Sequence, residues 1–194
     1  MKKLGFFSMI AIAAFAFQSC SGNKDSKELA DSLNKTKDTT ENVVATGGIA
    51  VDENDAKFTT DAAAGGMAEV ELSKLALTKT ANAEIKAFAD MMVTDHGKVN
   101  ADLMAIASAK NITLPTALDE THQKKYDDLA KLTGKDFDKE YVKAMVDGHQ
   151  KTWDMMDKES KDANDADLKA FAAKTAPIVK GHLDVIKKIQ DALK

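Results

Sequence analysis

Apolar side chains recur at alternating steps of three and four residues along most of this chain, from Phe58 to Ile189. This spacing places them on one face of an α-helix, and it is repeated over four long segments. No stretch shows the period-two alternation and tight glycine turns of a β-hairpin. Only two prolines interrupt the 194 residues. The pattern predicts an all-α protein in which four long helices bury one seam each.

Capping and helix-breaking residues give the limits of the predicted helices. The long segments start near residues 58, 82, 135 and 165, and Asn82 is a favourable N-cap for the second. Pro115 and Gly134 interrupt the helical pattern and bound a shorter helix over about 116–131. We expect this short helix to cross over between the second and third long helices. The predicted fold is a ferritin-like antiparallel four-helix bundle with one crossover connection.

The first 19 residues have the layout of a bacterial export signal. Lys2 and Lys3 precede an apolar run from Leu4 to Phe17, which is too short to span a bilayer. Cys20 follows as the only cysteine of the chain, so no internal disulfide can form. The residues before Cys20 are similar to a lipobox, with Phe17 where leucine is usual. We expect residues 1–19 to be removed and Cys20 to carry a lipid.

A lipid on Cys20 would make this a cell-envelope protein, anchored to a membrane and most simply to the outer membrane. Its domain would lie in the periplasm or at the cell surface. The alternative is a signal cleaved nearby that leaves Cys20 as a free thiol. Loss of the two signal lysines makes the formal charge of −4 more negative by two. An acidic protein is a poor ligand for nucleic acid, so no nucleic-acid partner is expected. The expected partner is the membrane, through the lipid on Cys20. The domain is expected to be a monomer or a homodimer.

Residues 20–55 are predicted to form a flexible tether. They are rich in serine, lysine, aspartate, threonine and asparagine, and few of them are large and apolar. Such a segment cannot bury enough surface to offset the entropy of ordering it. A random coil of this length has a root-mean-square reach of ~30–35 Å, which would hold a domain clear of a membrane. The folded bundle is therefore predicted over residues 56–194.

Polar residues interrupt the four apolar seams at similar heights. Glu69, His96, His149 and His182 each occupy a seam position within about three residues of the estimated midpoint of a helix. The midpoints of antiparallel helices lie at one depth, so these side chains should converge. Three imidazoles and a carboxylate suit a single divalent transition metal ion such as Zn, Fe or Mn. A small ligand held by the same groups is the related alternative.

Three other interpretations use the same seams. The histidines and the glutamate can form a metal-free polar network, in a structural or stress-related envelope protein. Met92 and Met145 each precede a seam histidine by four residues, and a thioether beside an imidazole suits copper. The third is an oxygen- or peroxide-reactive enzyme. A di-iron oxidase is disfavoured, because valine stands where the Glu-x-x-His motif requires glutamate.

Several segments resemble one known family over about residues 55–190. The resemblance is carried by residues 55–58, 62–76, 88–98, 112–115, 132–141, 145–149 and 168–183. They are similar to the domain of unknown function 4142 family, which implies a ferritin-like fold, export and no established activity. Carried over position by position, it implies Glu69, Glu71, His96, His149 and His182 as site residues. This chain departs from the family at Asp147-Gly148-His149, where the family usually has aspartate directly before histidine.

Overall fold

The structure, a computed structural model, describes residues 25–37 and 51–193. Those residues form six α-helices and no strand: α1 Ser26–Lys37, α2 Glu53–Lys79, α3 Ala83–Ala109, α4 Glu120–Lys131, α5 Gly134–Asp162 and α6 Ala166–Ala192. The all-α prediction is confirmed. No helix in these ranges has the length and apolar character needed to cross a bilayer. The predicted signal and Cys20 lie outside the described residues.

Side-chain caps determine where four of the helices begin. Asp52, Asn82, Asp119 and Asp165 precede α2, α3, α4 and α6, and each side chain accepts a hydrogen bond from an amide of the first turn. The prediction of Asn82 as an N-cap is confirmed. Asn111, just after α3, has a φ of 55°. Asparagine tolerates this left-handed conformation, so it ends the helix there.

The helices α2, α3, α5 and α6 form a four-helix bundle in which each helix packs against two others. α2 packs on α3 and α5, and α6 packs on the same two helices. Three residues join α2 to α3, and three join α5 to α6, so both pairs are antiparallel. The α3–α5 connection contains α4, which packs against α2 and α5. The predicted bundle with a crossover helix is therefore confirmed.

Two apolar clusters fill the bundle on either side of its middle. One contains Leu72, Ile85, Phe88, Met145, Leu183 and their neighbours. The other contains Phe58, Leu103, Met156, Leu168, Phe171 and their neighbours. Along each long helix, a buried polar residue stands at the boundary between the two clusters: Glu69, His96, His149 or His182. The polar layer is thereby covered with apolar side chains at both ends.

Helix α1 differs from the flexible tether predicted over residues 20–55. It contacts α2 and the α3–α4 connection through polar groups. Lys27 pairs with Asp61 at 2.8 Å, and Asn34 exchanges hydrogen bonds of 2.9 and 2.7 Å with the backbone of Thr113. Since both leucines of α1 stay exposed, a count of apolar residues could not predict these contacts. The helix α2 also begins at Glu53, inside the predicted tether. Residues 20–24 and 38–50 lie outside the described ranges.

Asp55 connects the start of α2 to the turn between α5 and α6. Its buried carboxylate accepts hydrogen bonds from the backbone amides of Asn164, at 3.3 Å, and Asp165, at 2.6 Å. Lys110, at the end of α3, donates to the Asp165 carboxylate at 2.6 Å. These contacts hold three helix ends at a common level. They therefore help to fix the relative heights of the polar residues at mid-bundle.

Candidate metal centre

Four of the five residues predicted for the site come together at mid-bundle. Glu69, His96, His149 and His182 come from α2, α3, α5 and α6, and each is at most 5% exposed. The centroids of the three imidazole rings lie 5.2 to 5.8 Å apart. The convergence expected from helix phasing is therefore present. It joins side chains that are up to 113 positions apart in the chain.

Glu71 does not join this group. Successive residues of a helix are rotated by about 100°, so Glu71 points about 200° away from Glu69. Its side chain is 40% exposed and pairs with Lys74 at 2.8 Å. The role that the family resemblance implied for Glu71 at this site is therefore not supported by its position.

Met92 and Met145 lie in the apolar core. Both are at most 1% exposed, and both belong to the cluster formed by Leu72, Ile85 and their neighbours. This cluster adjoins the histidine layer on one side. Their burial is explained by packing alone, since methionine readily fills irregular gaps in a core.

His149 is held in one tautomer. Its Nδ1 lies 2.8 Å from the carbonyl oxygen of Met145. Because a carbonyl oxygen can only accept, Nδ1 carries the proton and Nε2 carries a lone pair. Nε2 is buried and has no hydrogen-bond partner among the described residues. A neutral imidazole with its outer N–H bonded and its inner nitrogen bare is the form in which histidine binds metal ions.

The other two histidines have carboxylates on their outer nitrogens. His96 Nδ1 lies 2.9 Å from Glu69 Oε2, and His182 Nε2 lies 3.3 Å from Asp95 Oδ2. A neighbouring carboxylate favours the proton on the nitrogen that faces it. The inner nitrogens, His96 Nε2 and His182 Nδ1, then face each other at 3.2 Å. Two lone pairs at this distance repel, so a proton or a metal ion is needed between them.

The spacing of the three histidines fits one metal ion. Each offers one nitrogen, and these atoms lie within 4.8 Å of one another. Metal–imidazole bonds of ~2.0–2.1 Å in tetrahedral geometry place the nitrogens ~3.3 Å apart. The His96–His182 pair already has this separation at 3.2 Å. The three imidazoles are therefore close enough for one ion to be shared among them.

Glu69 is a buried carboxylate with few hydrogen bonds. Oε1 accepts from Thr152 Oγ1 at 3.4 Å and lies 3.4 Å from His149 Nδ1. Oε2 has no hydrogen bond of ordinary geometry, although His96 Nδ1 is 2.9 Å away. A buried charge that is poorly hydrogen-bonded is costly, so a cation near this carboxylate would be stabilising.

The ionisation states at neutral pH leave the centre electron-rich. Burial raises the pKa of Glu69, but the adjoining His149 and His96 outweigh burial and lower this pKa to about 2. Burial lowers the pKa of His149 and of His182, with a further lowering from the neighbouring imidazoles. At pH 7 the glutamate is therefore ionised, and these two histidines are neutral and able to bind a metal.

Two partners of the histidines were not among the predicted ligands. Asp95 lies on the flank of α3, one residue before His96, and its carboxylate reaches His182 of α6. No local pattern could indicate this contact, because the two residues are 87 positions apart. The Met145 carbonyl, four residues before His149, could have been anticipated from the helical repeat.

The fold is similar to that of other solved helical proteins. A DUF305 fragment from Deinococcus radiodurans aligns with a TM-score of 0.65 and 11% identity, covering 73% of this chain and 98% of that one. CopM in the Cu(I)-bound form aligns at 0.60 with 14% identity, covering 71% and 96%. CopM in the Cu(II)-bound form aligns at 0.61 with 15% identity, covering 72% and 97%. At such identities the likeness shows the fold alone. No curated protein matches the sequence significantly.

One family profile spans most of the chain. The profile described as Domain of unknown function (DUF4142) matches residues 44–189. This range contains α2 to α5 and all but the end of α6, and thus all four polar residues at mid-bundle. The resemblance noted in the sequence is confirmed, and the chain belongs to the DUF4142 family.

Proposed function

We propose that the middle of the bundle binds one metal ion. The ligands are His96 Nε2, His149 Nε2 and His182 Nδ1, and Glu69 provides the adjoining negative charge. The observation that carries the proposal is the bare, buried Nε2 of His149, whose outer nitrogen already donates to a carbonyl. Neither packing nor hydrogen bonding within the described residues explains this atom, whereas a metal ion does.

The surroundings of the three imidazoles support the proposal. Each outer nitrogen faces an oxygen, from Glu69, Asp95 or the Met145 carbonyl, as is usual for histidines that bind metals. Three nitrogens and a carboxylate suit Zn(II) or Fe(II), and Mn(II) is a further candidate. CopM, which has a similar fold, has been solved in Cu(I)-, Cu(II)- and Ag-bound forms. Copper is therefore included among the ions to be tested.

A measurement of bound metal tests this proposal most directly. Protein purified without a histidine tag, exposed to each ion and freed of excess, is expected to hold about one ion per chain. His96→Ala should hold about a tenth of that or less, because one of three ligands is lost. Elemental analysis by mass spectrometry gives both values.

His122 offers a matched control for that experiment. Its Nδ1 pairs with Asp119 at 2.7 Å in α4, outside the three-histidine group. At equilibrium, His122→Ala is expected to bind as many metal ions per chain as the wild type. Equal and negligible metal in the wild type and His96→Ala would refute the proposal.

A second candidate function is structural, in a protein without metal. The contacts from Glu69 through His96 and His182 to Asp95 form a continuous chain, which one added proton would complete. This network would fix the register of the four helices in a non-catalytic envelope protein. On this alternative, His149→Ala should lower thermal stability and leave any response to metal ions unchanged.

We also propose that a lipid on Cys20 anchors the protein in the cell envelope. The proposal is supported by the signal-like residues 1–19 and by a single cysteine directly after them. Cys20→Ser is expected to move the protein from the membrane fraction to the soluble envelope fraction. Mass spectrometry of the N-terminal peptide should show an acylated cysteine in the wild type. An unmodified thiol at Cys20, or a membrane-bound Cys20→Ser variant, would contradict the proposal.

A further inference from the structure

A cavity of about 330 Å³ opens between α2, α4 and α5 and reaches Glu69. Its lining includes the buried Glu69 and the exposed Lys151, so it connects the carboxylate of the proposed metal centre with the surface. Lys125 and the half-buried His122, both on α4, also line it. The cavity is therefore a candidate path between solvent and a centre that is otherwise enclosed by apolar side chains.

Two glycines line this path. A Cβ atom at Gly148 would lie 3.5 Å from Glu69 Oε1, and one at Gly65 would lie 3.9 Å from Thr152 Oγ1. A methyl group would fit at either position without a clash. A longer side chain at Gly148 would extend towards Glu69 and fill the space in front of its carboxylate.

His122 places a metal-binding atom on the cavity wall. Its Nδ1 lies 2.7 Å from Asp119 Oδ2, which favours the proton on Nδ1 and leaves a lone pair on Nε2. The His122 side chain is 30% exposed, so an incoming ion can reach it. The same carboxylate–imidazole arrangement occurs at His96 and His182 in the core.

The opposite edge of the centre is closed by side-chain contacts. Asp95 Oδ2 lies 3.3 Å from His182 Nε2, and Lys98 Nζ lies 3.5 Å from Asp95 Oδ1. An ion that entered between α3 and α6 would have to disrupt the Asp95–His182 contact. On the α2–α5 side, the contact beside the path is the 3.4 Å hydrogen bond from Thr152 Oγ1 to Glu69 Oε1, and breaking it would release no histidine from its partner.

We propose that a metal cation enters the centre through the α2–α4–α5 cavity, passing His122 and then Glu69 before the three histidines bind it. This inference rests on the proposed metal-binding function. Lys125 and Lys151 form no ion pair within the described part of the chain. Their positive charges at the opening should slow an approaching cation. If the ion enters here, removal of one of these charges should therefore raise the rate of uptake.

Uptake kinetics test the path separately from the affinity. Metal-free protein is mixed with Co²⁺ in a stopped-flow instrument, and the absorbance of the cobalt–histidine complex gives the rates of binding and release. Gly148→Leu is expected to slow both rates by about tenfold and leave one ion bound at nearly unchanged Kd, since a blocked path acts equally in both directions. Lys125→Gln should speed uptake by about two- to fivefold at low ionic strength, and the difference should vanish in high salt.

The controls use the same substitutions elsewhere. Gly97 adjoins His96, but a Cβ there would meet nothing within 4 Å, so Gly97→Leu should leave the rates unchanged. Lys98→Gln changes the charge at the opposite edge and should also leave them unchanged. Gly65→Leu provides a second block if Gly148→Leu does not fold.

The outcomes separate the path from the function. If Co²⁺ binds but neither Gly148→Leu nor Gly65→Leu slows uptake, the path is refuted and the metal centre stands. Acceleration by Lys98→Gln in place of Lys125→Gln would move the entrance to the Asp95 edge and overturn the inference. If the wild type binds no Co²⁺ and none of the other ions tested, the proposed function fails, and the inference fails with it.

Discussion

His149→Leu is expected to abolish tight metal binding while the metal-free bundle stays as stable as the wild type or becomes more stable. The Nε2 of His149 is buried without a hydrogen-bond partner within the described residues. Leaving such a group unsatisfied costs ~1–3 kcal/mol, and leucine removes it while filling similar volume. Phe88 and the adjoining apolar cluster provide neighbours for the new side chain.

The loss of affinity should be large because one of three ligands disappears. Structural zinc sites with four ligands contribute ~10–16 kcal/mol, so one ligand carries about 2.5–4 kcal/mol, or roughly 60-fold or more in Kd. Isothermal titration gives the affinity, and thermal unfolding with a chelator gives the stability of the metal-free form. His122→Leu is the control, and it should keep the affinity. A variant that unfolds several degrees lower, with the metal response of the wild type, would favour the metal-free polar network.

Lowering the pH from about 7.5 to 5.5 is expected to release the metal and also to destabilise the metal-free protein. Metal binding requires neutral imidazoles, so protons compete with the ion at each histidine. In the metal-free fold the pKa values of His149 and His182 lie below the ordinary 6.5, chiefly because burial disfavours the charged ring. The unfolded chain therefore binds more protons as the pH falls below 6.5, and stability declines there.

Glu69 adds a second, more acidic window to this pH dependence. Its pKa is lowered from 4.5 to about 2. The contribution of the ionised Glu69 to the free energy of unfolding is therefore complete above pH 4.5 and is lost as the pH falls towards 2. Thermal unfolding of chelator-treated protein between pH 8 and 5 isolates the histidine window. His149→Leu should show a shallower decline than the wild type, because one titrating group is absent. A wild-type unfolding temperature that is constant or rises between pH 7 and 5 would contradict the expectation.

The parts of the fold that the sequence predicts well depend on local geometry. The helical period requires only that neighbouring turns share an apolar face, and Asn82 and Asn111 mark helix ends through their own backbone and side-chain chemistry. Helix α1 could not be predicted in this way. Its position depends on polar contacts with Asp61 and Thr113, which are distant in the chain.

At the candidate metal centre, too, some features follow from a single helix and others depend on contacts between helices. Helical phasing is sufficient to place Glu69, His96, His149 and His182 on inward seams, since each position depends only on its own helix. A resemblance between sequences could not separate Glu69 from Glu71, whereas the structure does, because the two side chains leave α2 in nearly opposite directions. Nor could the resemblance show that the carboxylate of Asp95 on α3 contacts the His182 imidazole on α6.

The sequence by itself determined the class of fold, the crossover helix and the four residues at mid-bundle, because these follow from periodicity and capping within single segments. Only the tertiary structure decided which nitrogen of His96 and of His182 is free. That choice depends on where the Glu69 carboxylate of α2 and the Asp95 carboxylate of α3 lie around these two rings. The meeting of three helices, with polar partners placed on the outer nitrogens of their histidines, therefore turns three core histidines into a candidate metal centre.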